Sequence, residues 1–225
     1  MILLLSALFT AELLLLFILS CISIRMLFRI LHLFFRSDRV VFSIISLIFF
    51  PGTVIHELSH FLMATILLVR VRDIHVFPEW DGSYIKLGRV VYEKKDVFRS
   101  ILVGIAPIIV GIFILWWMYE INIFAIKNTF FQVILIAFIF ILSSSMFSSK
   151  QDLVDIVYIL PILILCLGLL YIFDIPVARI FSNPEFIAGL RSFMYAINTY
   201  LGISIGIHIV LIAVLRSGLY IFRKR

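Results

Sequence analysis

Charge is what this sequence has least of. Asp, Glu, Lys and Arg make up 14% of its 225 residues, where a water-soluble domain carries about 25%. Cysteine is scarcer still. Cys21 and Cys166 both lie in apolar runs with no C-x-x-C pair, which excludes a disulfide framework and a cysteine-built metal or redox motif. No Lys/Arg cluster is interleaved with aromatic residues, so a nucleic-acid surface is excluded as well. No internal repeat of the usual periods is present. What is there is apolar: 64% of the residues are hydrophobic and 23 are phenylalanine. That composition belongs to a polytopic membrane protein, with its +6 net charge facing the anionic headgroups of a lipid bilayer.

Runs long enough to span a bilayer fall at residues 2–24, 41–68, 101–119, 129–147, 153–173 and 201–222. The expected fold is therefore an all-α membrane protein of about six transmembrane helices, in a single domain over residues 1–225. The first run lacks a basic leader and carries Glu12 in its middle, which favours a retained helix over a cleaved signal peptide. Pro51-Gly52 predicts either a kink in the second helix or a fresh start at Thr53, and Pro161 a kink in the fifth. Gly202 and Gly206 have the spacing of a close helix contact. Arg25, Arg29, His32 and Arg36 recur at helical steps between the first two runs, predicting a basic amphipathic helix at the membrane interface.

Residues 70–99 form the longest polar stretch. The stretches 71–76 and 84–92 are β-rich, and Asp81-Gly82 between them is a turn signal, so a small β-hairpin is expected. Six simple crossings would put this hairpin and the C-terminal basic tail on one side and the Arg25–Arg39 stretch on the other. The excess of Lys and Arg would then favour a cytoplasmic hairpin and tail.

Within the second run, His56-Glu57-Leu58-Ser59-His60 is an H-E-x-x-H sequence. On a helix, positions 56 and 60 stand one turn apart on one face, so two imidazoles can grip one Zn2+ ion. Glu57 projects beside them as a general base. An ionisable side chain at membrane depth is costly and marks function. A catalytic zinc takes three protein ligands and keeps one open position. His32, His75 and His208 are poor third ligands: one belongs to the basic stripe, one to the hairpin and one stands alone on the last span. Carboxylates near a membrane boundary are better. Asp152 follows the polar break that begins at Ser143, Asp155 lies one turn later, and Glu185 follows Asn183-Pro184. A helix N-cap is the competing role for these acids.

The stretch from Pro51-Gly52-Thr53 through His56-Glu57-Leu58-Ser59-His60 resembles the first metal-binding helix of the site-2 proteases, the intramembrane zinc metalloproteases of peptidase family M50. Gly104-Ile105-Ala106-Pro107, with Gly111, is similar to the small-residue and proline segment beside the site in that family. Ser145-Met146-Phe147-Ser148-Ser149-Lys150-Gln151-Asp152 resembles the segment that supplies its third ligand, although Leu153 stands where Gly is common. The resemblance covers about 41–173, with 70–99 as a hairpin insertion and 174–225 as a C-terminal loop and helix. It implies zinc on His56, His60 and Asp152, Glu57 as catalytic base, a hairpin that holds a membrane-protein substrate extended, and hydrolysis of peptide bonds in the cell membrane. Two other readings stay open: an HtpX-like membrane metalloprotease using Glu185, and a non-catalytic zinc-binding scaffold.

Overall fold

The computed structural model describes residues 1–77, 79–81, 84–86, 88–93, 96–147 and 183–223. Its described helices are α1 (Ile2–Phe35), α2 (Asp38–Ile66), α3 (Val97–Glu120), α4 (Thr129–Ser145) and α5 (Pro184–Arg223). Four of them, α1, α2, α3 and α5, are long and apolar enough to cross a membrane. This is a multi-pass helical membrane protein. At 17 residues, α4 reaches only about 25 Å, short of a ~30 Å hydrocarbon core. The fifth expected span, 153–173, lies outside the described residues, as do Asp152, Asp155, Pro161 and Cys166.

The basic stripe is not a separate helix. Residues 1–50 contain neither glycine nor proline, so nothing interrupts α1 before Arg36 adopts a left-handed conformation (φ 46°) and donates its backbone N–H to His32 O. At 34 residues α1 is about 51 Å long, so the stripe is the end that outruns the hydrocarbon. Across the short turn, His32 Nε2 meets Asp38 Oδ1 at 3.0 Å. The second helix continues through Pro51 to Ile66 as one element.

The last helix begins earlier than hydropathy indicates. Asn183 Oδ1 accepts from the backbone N–H of Glu185 at 2.9 Å, and Pro184 occupies the first helical position, where its missing N–H is harmless. Residues 184–200 are therefore helix rather than loop; Arg191 and Asn198 had lowered their apolar score.

Contacts fix the direction of α5. Asn198 Nδ2 donates to Leu5 O at 3.0 Å, Ser23 Oγ meets His208 Nδ1 at 2.9 Å, and a Cβ on Gly218 would lie 3.3 Å from Ile30. Residue numbers rise together on both helices, so α1 and α5 run parallel. Arg216 thus stands at the same end as Arg25–Arg39, not at the hairpin end as six simple crossings would require. The described basic residues then divide between the two ends without a decisive excess, and the charge argument for orientation lapses. Among the described residues nothing lies within 4 Å of a Cβ placed on Gly206, so the paired glycines form no tight crossing with the described helices.

His208 is fully buried and bridges three helices. Its Nδ1 meets Ser23 of α1 and its Nε2 lies 3.3 Å from Ser143 Oγ of α4. The main core gathers Leu16, Leu115, Ile139, Leu142, Ile197 and Leu201.

The polar stretch forms two antiparallel ladders. β1 (Val71–His75) pairs with β4 (Arg89–Tyr92), with a register shift between Val71 and Asp73. β2 (Glu79–Asp81) pairs with β3 (Tyr84–Lys86), Asp81 opposite Tyr84. The base of this hairpin packs Val71 and Tyr92 against the cluster of Ala64, Val69 and Val103. Farther out, Phe77 stacks on Phe50 with ring centroids 5.3 Å apart. The hairpin therefore folds back along α2 toward the middle of that helix.

Candidate metal and base site

His56, Glu57 and His60 are 3%, 7% and 7% exposed. Two backbone defects in neighbouring helices aim the imidazoles. A helix end leaves its last carbonyls without intrahelical partners. Ser145 closes α4, and its carbonyl accepts from His56 Nδ1–H at 2.8 Å. A proline removes the N–H that would bond the carbonyl four residues earlier. Pro107 sits inside α3, and the freed carbonyl is that of Val103, which accepts from His60 Nδ1–H at 2.7 Å.

A carbonyl can only accept, so each Nδ1 carries a proton, and it is the Nε2 lone pair of the neutral form that is left for a metal. Those two Nε2 atoms lie 3.1 Å apart, with the rings at 85°. Two ring nitrogens at that distance are held together by a shared proton or by a cation between them. Two nitrogens at ~2.0–2.1 Å from a tetrahedral zinc are separated by roughly 3.3 Å. Metal-ligating histidines usually donate the other ring N–H to a carbonyl or carboxylate, as both do here. The donor pair fits a zinc ion.

Among the described residues, no group of three His, Cys, Asp or Glu side chains converges as a metal cage. Asp152 and Asp155 fall outside those residues. Glu185 is placed well away: it is exposed in the first turn of α5, 23 residues before His208, or roughly 34 Å along the axis. His208 itself contacts Ser143, two residues from the Ser145 carbonyl under His56. Glu185 therefore does not join this histidine pair. His32 and His75 are occupied at the surface with Asp38 and Asp73.

Two glycines let backbone approach the site. A Cβ at Gly52 would fall 2.6 Å from Ser145 Oγ and 2.8 Å from Ile141 Cγ2, so α4 can lie against α2 where Ser145 O meets His56. Gly88, just before β4, would place a Cβ 2.8 Å from Glu57 Cγ and 2.9 Å from its Oε1. The hairpin thus covers the carboxylate. Gly88→Ala should displace the flexible end of Glu57 rather than unfold the hairpin. A misplacement on the order of 1 Å can lower turnover ~10²-fold. We expect hydrolysis to fall with zinc content and thermal midpoint close to wild type, checked by assay, metal analysis and melting.

Sequence reasoning found the histidines and the glutamate but not Val103 O, Ser145 O or Gly88. Pro107 was the available signal for the first, because a mid-span proline always frees a carbonyl four residues back. The hairpin glycine carried no such mark.

Fold and site together define a class: a multi-pass helical membrane protein with a buried histidine pair and glutamate, overlaid by a β-hairpin. No protein-family model, curated protein or solved structure matches the chain.

Proposed function

We propose that this chain is a zinc-dependent intramembrane endopeptidase of the site-2 protease type, working in a cell membrane. The observation that carries the reading is the convergence of the His56 and His60 Nε2 atoms, 3.1 Å apart, beside Glu57 in a membrane helix. His56 and His60 hold the zinc, with Asp152 as the third protein ligand. When bound, the ion supplies Lewis acidity that activates water and polarises a scissile carbonyl. Glu57 takes the proton from the attacking water and returns it to the departing amine. Burial keeps bulk water from Glu57, and the Gly88 backbone limits where its carboxylate can sit.

Helical peptide bonds are shielded by their own turn, so a membrane-spanning substrate has to be extended before attack. The β1–β4 ladder lies along α2, and a strand added to its edge would hold the substrate open beside Glu57.

The test is cleavage of a membrane-spanning peptide by the full chain in liposomes. A zinc chelator should stop cleavage and added zinc restore it; chelator-resistant cleavage would refute the reading. Asp152→Ala and Glu185→Ala should separate the ligand sets. We expect the first to lose most bound zinc and the second to retain it. The opposite pattern would favour the HtpX-like arrangement.

A further inference from the structure

A second feature of the fold lies at the other end of α2, remote from the histidine pair. Where α1 turns into α2, side chains of the two helices line a groove of about 390 Å³. Its walls include Phe28 on one helix and Phe42 and Ile45 on the other, with Arg25 and Arg29 at its edge. The two arginines are one helical turn apart on the same face and exposed, and neither is in an ion pair among the described residues. The nearby acid Asp38 is engaged with His32.

The floor of the groove holds an anomaly. On α2, Ser43, Thr53, Ser59 and Thr65 each donate their hydroxyl to the carbonyl four residues back. Ser46 does not. It lines the groove, is 3% exposed, and its Oγ has no hydrogen-bond partner among the described residues. A buried hydroxyl left unpaired costs about 1–3 kcal/mol. Its Oγ is sealed from solvent, so a ligand in the groove reaches it once the side chain turns outward.

We propose that this groove is a binding site for an anionic phospholipid. The phosphate accepts from the Arg25 and Arg29 guanidiniums, the Ser46 hydroxyl turns outward to donate to an ester carbonyl of the glycerol backbone, and an acyl chain lies against the touching rings of Phe28 and Phe42. A free phosphate would leave the apolar walls and Ser46 unmet. An apolar peptide would leave the paired arginines unmet. The position is right for a lipid, because the stripe is the part of α1 that extends to the headgroup level. The site is independent of the zinc reading.

The experiment is native mass spectrometry of the full chain, released from detergent after incubation with phosphatidylglycerol, phosphatidylcholine of the same acyl chains, or inorganic phosphate. We expect phosphatidylglycerol to be retained at least fivefold over phosphatidylcholine, and phosphate not at all. R25Q/R29Q should remove that preference. R36Q/R216Q, which removes the same charge from the same end outside the groove, should preserve it. Ser46→Leu, which fills the groove from within, should lower retention of both lipids. Equal retention of the two lipids would overturn the proposal, as would binding of phosphate alone or an equal loss in R36Q/R216Q. Retention unchanged in both R25Q/R29Q and Ser46→Leu would place the lipid elsewhere and do the same.

Discussion

Glu57→Gln should leave zinc bound and lower hydrolysis by about 10²–10⁴-fold, the usual contribution of a positioned general base. The amide has the same shape and fits the same buried seat under Gly88, so folding and the two imidazoles are undisturbed. What it lacks is the ability to accept a proton at the pH of the assay. A zinc-binding scaffold needs no base at this position and would function unchanged. Turnover and metal content, measured on one preparation, separate the two readings. Loss of both would mean that Glu57 helps to hold the metal.

The second large effect concerns the histidines. His56→Ala and His60→Ala should each remove nearly all bound zinc and reduce hydrolysis to background. They should also destabilise the protein beyond the loss of metal. Each imidazole satisfies a backbone carbonyl, Ser145 O or Val103 O, that has no other helical partner among the described residues. An orphaned buried carbonyl costs about 1–3 kcal/mol. Both variants should therefore unfold at lower denaturant than chelated wild-type protein, even though all three lack zinc. If chelated wild type and the variants unfold together, the histidines are not the caps described here.

The sequence made some of this readable and hid the rest for physical reasons. H-E-x-x-H is legible because helical periodicity alone puts 56 and 60 on one face. The hairpin is legible because Asp81-Gly82 is a turn signal between β-rich segments. Helix lengths were not, since hydropathy measures lipid exposure rather than backbone continuity. Arg25–Arg36 and Arg191–Asn198 are polar enough to look like boundaries, yet no breaker ends either helix there. The parallel course of α1 and α5 depends on contacts such as Asn198 with Leu5, which local pattern cannot express. Backbone acceptors are equally silent, because every residue carries a carbonyl. Only geometry shows which ones are left over for a histidine.

The account turns on what lies between His56 Nε2 and His60 Nε2. X-ray absorption at the zinc edge, on full-length protein in lipid nanodiscs given one equivalent of zinc, reads that directly. The account predicts one zinc per chain with two imidazole nitrogens at ~2.0–2.1 Å and oxygen donors completing the shell. Protein that takes up no stoichiometric zinc, or holds it without imidazole, would contradict it and leave the two nitrogens sharing a proton instead.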